Sequence, residues 1–201
     1  MYYRKIEGDK IYLSPMDKKN EIPLLTTWFN EDPSIACNNG FISSVSNEED
    51  ISEMVDKWNE SGMIFSIINK KTNEFMGHVS FFGADGNKTF ITMGIYIAEE
   101  YRQNGYGLEA IELSTDYMFR FQIYKSIHLE VFSYNDGAYK LYQKAQTYNQ
   151  LKMHLFQNNL NHYYNNHSHF YQAHKEQICI KLIIILESKY SISLLKICYF
   201  S

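Results

Sequence analysis

Residues 94–110 read GIYIAEEYRQNGYGLEA, an apolar run that breaks into a loop with two glycines and then restarts as an amphipathic segment. Gly105 and Gly107 can adopt backbone angles that other residues avoid, so consecutive amide N–H groups of the loop can turn toward one anion. A helix that begins directly after the loop would add the positive end of its dipole. The segment therefore predicts a phosphate site between a strand and a helix.

Two kinds of nucleotide-binding loop fit these glycines, and the first is the dinucleotide loop. Residues 105–110 satisfy its pattern G-x-G-x-x-A, and Glu130 lies about 20 residues downstream, where a ribose-binding carboxylate belongs. A dinucleotide loop leaves its strand directly, however, whereas residues 99–104 separate Ala98 from the first glycine. An NAD(P)-binding oxidoreductase is therefore a distant alternative.

Taken with the preceding arginine, the loop resembles the Q/R-x-x-G-x-G/A pyrophosphate loop of the GNAT superfamily of acetyl-CoA-dependent N-acetyltransferases. Residues 94–97 resemble the strand before that loop, and residues 135–144, NDGAYKLYQK, resemble the family's N-x-x-A-x-x-L-Y-x-K helix. The resemblance covers about residues 10–145. Residues 13–17, LSPMD, resemble the branch that acetylates ribosomal-protein N-termini and polyamines such as spermidine.

Hydrophobic periodicity predicts the element order of the same family. Strand patterns cover residues 10–14, 63–69, 74–83, 88–98 and 126–133, and helical patterns cover residues 19–30, 105–122 and 137–146. A capping box at Ser46-x-x-Glu49 predicts a further helix to about residue 60. The predicted fold class is α+β of the GNAT type, a mixed and mostly antiparallel central sheet flanked by helices in the order β-α-α-β-β-β-α-β-α.

Bulk composition limits the partners of the chain. A net charge of −4 with three arginines in 201 residues argues against a nucleic-acid partner, because phosphate backbones need clustered Lys and Arg. No apolar run reaches the roughly 18 residues that a membrane helix requires. Three widely spaced cysteines (Cys37, Cys179 and Cys198) without a signal peptide favour reduced thiols and a cytoplasmic location.

No metal is expected, and a homodimer is possible. Five histidines of the C-terminal part lack the spacing of metal ligands (His154, His162, His167, His169 and His174). Dimers are a common default for such enzymes.

The resemblance implies acetyl-CoA as cosubstrate and assigns residues to it. The backbone N–H groups of the loop would hold the pyrophosphate. The loop residues are Arg102, Gln103, Asn104, Gly105, Tyr106, Gly107 and Leu108. Arg102 would shape the loop, and its guanidinium would add charge. The main chain of Ile95, Tyr96 and Ile97 would bind the pantetheine arm and the acyl oxygen, with Gly94 as the bulge that splays this strand from the next.

Three further residues receive roles or alternatives. Asn135 matches a family position that contacts the coenzyme, and it equally fits a helix N-cap. Tyr142 matches the tyrosine that protonates the departing coenzyme A thiolate, with a packed helix aromatic as the alternative. Glu130 is the candidate base, because desolvation in mid-strand would raise its pKa, and a solvated glutamate is its alternative. A single strand histidine such as His78 fits a structural role.

The implied reaction is transfer of an acetyl group to a primary amine by direct attack in a ternary complex. The acceptor would be a small-molecule or peptide amine: a protein N-terminus, a polyamine or another small amine. The acidic outer face of the predicted second helix would suit a cationic acceptor, although such a face is usually just solvated.

The composition changes after Gly137. The remaining 64 residues contain no Gly, Pro, Asp, Arg, Val or Trp, and the family's K-x-G-F continuation is replaced by KAQT at residues 144–147. We therefore separate an acetyltransferase domain, 1–145, from an atypical segment rich in Asn, His, Tyr and Ile, 146–201. Two alternative explanations fit this segment: a frame shift near Ala145, or natural divergence of the C-terminal part.

Without the family's closing strands, the strand at 126–133 would be an exposed sheet edge. The chain would then be a coenzyme A-binding module with impaired turnover. Residues 178–186 could supply a buried strand, although periodicity does not separate a strand from a helix there.

Overall fold

The computed structural model describes residues 1–32, 46–84, 86–132, 135–149, 152–159 and 180–187, and beyond residue 145 it describes the backbone alone. The described residues form eight strands: β1 Ile6–Glu7, β2 Ile11–Pro15, β3 Met63–Asn69, β4 Phe75–Phe82, β5 Phe90–Ile97, β6 Ser126–Phe132, β7 Lys152–Asn159 and β8 Ile180–Glu187. They also form four α-helices: α1 Lys18–Glu31, α2 Glu48–Ser61, α3 Tyr106–Arg120 and α4 Asp136–Asn149. A 3-10 turn, Glu99–Tyr101, precedes α3.

One sheet contains all eight strands, in the order β1-β2-β3-β4-β5-β6-β8-β7. Every neighbouring pair is antiparallel except β5 and β6, which run parallel. The predicted α+β class and the predicted element order are confirmed. The fold adds the two-residue strand β1 before the predicted set and the two strands β7 and β8 after it.

Strand alternation divides the core between the two faces of this sheet. Leu13 and Ile67 pack with Met118 of α3 in a cluster that also contains residues of α4. Tyr12, the neighbour of Leu13, packs on the opposite face with Leu25 of α1 in a second cluster that also contains residues of α2. The sheet is therefore buried on both sides, with α3 and α4 on one face and α1 and α2 on the other.

Helix α2 begins with a capping box that lies one residue later than predicted. The Asn47 side chain accepts hydrogen bonds from the backbone N–H groups of Glu49 (2.8 Å) and Asp50 (3.0 Å), and the Asp50 carboxylate accepts one from Asn47 N–H (2.9 Å). The predicted cap, Ser46, exchanges backbone hydrogen bonds with the Asn30 side chain of α1 instead. A tertiary contact thus shifts the start of the helix.

Strands β5 and β6 separate after a short parallel pairing. They pair from Phe90↔Ser126 to Thr92↔His128, and both strands then continue without pairing to each other. The predicted bulge at Gly94 is wrong, because β4 and β5 pair without a register shift. The separation arises because β5 stays paired with β4 while β6 stays paired with β8.

The edge of β6 would be exposed only without a replacement for the closing strands, and such a replacement is present. Strand β8 pairs with β6 along its whole length, from Ser126↔Glu187 to Phe132↔Lys181, and β7 pairs with β8 in turn. Residues 178–186, which periodicity left open between strand and helix, therefore contain most of a strand. The proposed domain boundary at 145 falls inside α4 and stays a prediction.

All three cysteines and most of the C-terminal histidines lie outside the described residues. Cys37, Cys179 and Cys198 lie outside the described residues, as do His162, His167, His169 and His174, while His154 lies on β7. In the described part of the chain, no three His, Cys, Asp or Glu side chains come together in a way that could hold a metal ion. None of the described helices is long and apolar enough to cross a membrane.

Candidate functional site

The loop between β5 and α3 contains two residues in left-handed conformations. Gln103 has φ 63° and Gly105 has φ 84°. Gly105 is the N-cap of α3 and offers no side chain to the first turn of the helix. Within the described residues, no acceptor takes a hydrogen bond from the backbone N–H groups of residues 103–108. These amides lie at the positive end of the helix dipole and are available to an anion.

Gly107 lets this helix start close to two other elements. A Cβ at this position would lie 3.2 Å from Leu141 Cδ2 of α4 and 3.7 Å from Ile97 Cγ1 of β5. The contact with Leu141 would be tight and the contact with Ile97 ordinary, so a side chain here would press first on Leu141. Gly107 therefore allows the first turn of α3 to lie close to both α4 and the end of β5.

The turn between β1 and β2 brings a cation to the loop. Lys10 Nζ donates a hydrogen bond to Asn104 O (3.1 Å), and Lys10 N–H donates to Glu109 Oε1 of α3 (2.9 Å). The ammonium group is exposed and lies beside Gly105. Sequence reasoning missed Lys10, because more than ninety positions separate it from the loop and no local motif marks it.

Arg102 joins the end of β5 to the end of α1, and its charge is paired with a carboxylate of the same chain. Its Nε donates to Ile97 O at the end of β5 (2.9 Å), and its guanidinium forms an ion pair with the buried Asp32, the residue that follows α1. The guanidinium also lies over the Tyr96 ring, 5.8 Å from the centroid. Arg102 is partly exposed, and the addition of its charge to a bound anion stays a prediction; the exposed Lys10 ammonium is a second cation at the loop.

Strands β5 and β6 no longer pair after Thr92 and His128, and the space between them is called the gap below. The main chain of β5 directs the N–H groups of alternate residues toward this gap. Ala98 N–H donates to Met76 O (3.0 Å), so the even-numbered residues of β5 face β4, and Tyr96 pairs there with His78. Ile95 and Ile97 consequently direct their N–H groups toward the gap. Two of the three predicted main-chain binders fit that role, whereas the main chain of Tyr96 is used within the sheet.

The side chain of Tyr96 belongs to the same network as Arg102. Its hydroxyl donates to Asp32 Oδ2 (3.3 Å). Burial, and secondly the nearby Asp32 carboxylate, raise the pKa of this phenol far above its usual range. Tyr96 thus remains protonated and acts as a hydrogen-bond donor.

Asn135 directly precedes α4, and Tyr142 lies on that helix. Asn135 Oδ1 accepts from Ala138 N–H (3.0 Å), which is the N-cap geometry that was the alternative to coenzyme contact. Tyr142 is buried in the cluster on the α3 and α4 face, one residue after the Leu141 that contacts Gly107. Burial raises the pKa of the Tyr142 hydroxyl to about 12.

Glu130 lies at the gap but is not buried. Ile127, Leu129 and Val131 of β6 enter the core, so Glu130 and His128 take the opposite face, and Glu130 is exposed. The predicted desolvation of this carboxylate is wrong, because alternation turns it away from its apolar neighbours. His128 stacks on Phe90 (4.7 Å between centroids), and burial lowers its pKa against the opposing charge of Glu130.

A buried polar row crosses the face under α1 and α2. Ser14, Ser66, His78 and Tyr96 are cross-strand partners on β2 to β5. Ser66 Oγ donates to Glu21 Oε2 of α1 (2.5 Å). Glu21 Oε1 and His78 Nδ1 are buried and have no hydrogen-bond partner among the described residues.

Burial shifts the pKa values of His78 in this row and of Glu21, which contacts it through Ser66. The pKa of Glu21 rises to about 7 and that of His78 falls to about 4. Sequence reasoning missed Glu21, because a glutamate in the first turn of a helix usually faces solvent.

Comparison with solved structures supports the same fold. A GNAT-family acetyltransferase from Bacillus anthracis matches with a TM-score of 0.66 at 16% identity over 93% of this chain and 98% of that one. RimL, a ribosomal-protein α-N-acetyltransferase in complex with coenzyme A, matches with a TM-score of 0.71 at 10% identity over 92% of this chain and 97% of that one. Spermidine N-acetyltransferase from Vibrio cholerae, in complex with CoA and spermine, matches with a TM-score of 0.65 at 16% identity over 91% of this chain and 99% of that one.

Sequence comparison assigns the family. No curated protein sequence matches the chain. The family model described as Acetyltransferase (GNAT) family matches residues 23–148, which include the glycine loop, the gap between β5 and β6, and most of α4. The chain is therefore a member of the GNAT family of acetyltransferases.

Proposed function

We propose that the protein is an acetyl-CoA-dependent N-acetyltransferase that moves an acetyl group to a primary amine by direct attack in a ternary complex. One observation carries the proposal: the free amides of residues 103–108 lie at the end of the same strand, β5, whose main chain faces the gap toward β6. A diphosphate on those amides would direct the attached arm along β5. The glycine cradle and the adjacent Lys10 fit such a ligand in shape and charge.

Bound acetyl-CoA would supply the activated acyl group as a thioester. The N–H groups of Ile95 and Ile97 face the gap and would donate hydrogen bonds to the acyl oxygen, where negative charge grows during attack. Fixed main-chain donors of this kind each contribute about 3 kcal/mol in acyl transfer. They also need no reorganisation during the reaction, because β4 holds β5 along its length.

Tyr142 is the proposed acid that protonates the departing thiolate. Its pKa of about 12 keeps the hydroxyl protonated at neutral pH. Apolar surroundings also raise the pKa of a thiol that leaves into them, because desolvation penalises the thiolate as it does the phenolate. Burial therefore affects donor and acceptor in the same direction and leaves proton transfer feasible.

Glu130 is the proposed acceptor of the proton that the amine loses. It lies on β6 beyond the last residue paired with β5, and its exposure lets it act on an amine directly or through one water. The acceptor would be a peptide N-terminus, a polyamine or another small amine, by analogy with the acceptors for which RimL and spermidine N-acetyltransferase are named. A cytoplasmic location and a homodimer remain predictions.

Calorimetry with acetyl-CoA, followed by thiol-release assays against a panel of amines, tests the proposal. We expect micromolar coenzyme binding and release with at least one amine. Binding without release for any amine would favour the module that holds coenzyme A without turnover, although the closing strands whose absence motivated that alternative are present as β7 and β8. Binding of NAD or NADP without coenzyme A would contradict both, and the mostly antiparallel sheet already differs from a dinucleotide fold.

A further inference from the structure

The ion pair between Asp32 and Arg102 joins two distant parts of the chain. Asp32 follows the last residue of α1, and its own N–H donates to Trp28 O (2.8 Å), so the carboxylate is fixed to the end of the helix. Arg102 begins the turn that leads into the free amides of residues 103–108. Helix α1 is thus tied to the proposed coenzyme loop by a contact between side chains.

This ion pair differs from the others that the described residues form. The Asp32 side chain is 7% exposed and Arg102 is 33% exposed, whereas the Lys18–Asp56 pair between α1 and α2 is 38% and 54% exposed. Arg102 is partly exposed, whereas the Asp32 carboxylate is shielded from water, so loss of Arg102 takes a cationic donor from a buried charge, which is costly. The Asp32 carboxylate also accepts a hydrogen bond from the Tyr96 hydroxyl. Its two donors therefore come from β5 (Tyr96) and from the turn before the coenzyme loop (Arg102).

Arg102 has a fixed orientation because both ends of its guanidinium are occupied. Nε donates to Ile97 O, and the terminal nitrogen binds Asp32. The next residue, Gln103, has a left-handed φ of 63° and is the first of the loop residues 103–108 whose amides are free. The direction of the loop amides therefore depends on where Asp32 holds Arg102.

We propose that Asp32 is a positioning residue for coenzyme binding, which acts through Arg102 to hold the loop amides toward the diphosphate. The proposal rests on the proposed function of the loop as a coenzyme site. Arg102 lies between Asp32 and the loop amides, because the Asp32 carboxylate binds the Arg102 guanidinium and residues 103–108 follow Arg102 directly. Replacement of Asp32 changes coenzyme affinity and leaves the chemical step almost untouched.

The experiment is a double-mutant cycle on coenzyme A affinity, measured by calorimetry with the full chain. Asp32→Asn and Arg102→Gln are each expected to weaken binding about tenfold, and the double variant is expected to be about tenfold weaker rather than a hundredfold. Non-additivity is the signature of one shared contact. Equal binding by wild type and Asp32→Asn, or effects that multiply, would overturn the proposal.

Kinetics separate a positioning role from a general loss of stability. Asp32→Asn should raise the KM for acetyl-CoA about tenfold with kcat within about twofold of wild type. The matched control is Asp56→Asn, which breaks the exposed ion pair with Lys18 at the other end of α1. This variant should leave coenzyme affinity unchanged. A lowered melting temperature with unchanged coenzyme affinity would assign Asp32 to stability alone and would also overturn the proposal.

A third variant covers the case in which Asp32→Asn does not fold. Tyr96→Phe removes one donor to Asp32 but keeps the ring, and it should weaken coenzyme A binding about threefold. Unchanged affinity in Tyr96→Phe then overturns the proposal. Failure of the wild-type protein to bind coenzyme A would overturn the proposed function itself, whereas wild-type binding with unaffected variants would overturn only the role of Asp32.

Discussion

At the scale of single residues, the buried environment of Tyr142 determines whether its hydroxyl can serve as a proton donor. Tyr142 is a buried residue of the cluster that also contains residues of α3, and burial keeps its hydroxyl protonated. We predict that Tyr142→Phe lowers kcat by about a hundredfold while coenzyme affinity changes little, because general acid catalysis contributes on that order. Steady-state thiol release and calorimetry measure the two quantities.

Tyr139→Phe is the matched control for this prediction. Tyr139 lies on the same helix, is half-buried and packs against the same core cluster. Its replacement removes a hydroxyl from α4 without touching Tyr142. An unchanged rate in Tyr142→Phe, or equal losses in both variants, would remove Tyr142 from the mechanism.

Lys10 is a second residue whose role follows from its contact. Its ammonium group is held at the loop by Asn104 O and is open to solvent. We predict that Lys10→Met raises the KM for acetyl-CoA about threefold at low salt, since an exposed charge near an anion contributes less than about 1 kcal/mol. The effect should shrink as salt is added.

The control for Lys10 is Lys57→Met, which removes an exposed ammonium from α2, where Glu53 is its partner. Steady-state kinetics at two ionic strengths distinguish the variants. A KM for acetyl-CoA that does not depend on Lys10 at low salt would contradict the assignment of this cation to the coenzyme.

At the scale of elements, α1 and α2 cover two titratable groups with opposite pKa shifts. The pKa of Glu21 is raised from 4.5 to about 7, so its contribution to stability is complete below pH 4.5 and is lost as pH rises to about 7. The pKa of His78 is lowered from 6.5 to about 4, so the unfolded chain binds more protons there and stability rises with pH from about 4 to 6.5. The two slopes offset each other between pH 4.5 and 6.5.

Single variants should expose each slope. We predict that Glu21→Gln makes the free energy of unfolding rise more steeply with pH across this interval, and that His78→Gln makes it fall. Each slope is limited to about 1.4 kcal/mol per pH unit. Urea unfolding at a series of pH values measures it, with the exposed Glu53→Gln as control; parallel profiles for all variants would contradict the buried assignment of both groups.

At the scale of the whole molecule, β8 completes the sheet by covering β6. A chain that ends after Asn149 would lack β7 and β8 and would expose the β6 edge. We predict that this shortened chain self-associates, because an open strand offers unpaired N–H and C=O groups to other chains. Light scattering of the shortened and full-length proteins measures the effect; a monodisperse, folded short chain would contradict the pairing.

The amino-acid sequence by itself determined the family, the α+β class and the order of elements, because the glycine loop and the strand and helix periods are local properties of adjacent residues. It also located Gly105 and Gly107, whose roles depend on backbone angles and on the absence of a side chain. The tertiary structure decided which side chains surround the loop. Lys10, Asp32 and Glu21 act across distances in sequence that no local pattern records.

Tertiary contacts also overruled local signals at particular positions. Asn30 holds the backbone of Ser46 and moves the cap of α2 to Asn47, and alternation on β6 exposes Glu130. The gap between β5 and β6 follows from the separate partners of the two strands, not from Gly94. Pairing across a sheet and burial against helices depend on residues far apart in the chain, and for that reason only the folded molecule fixed them.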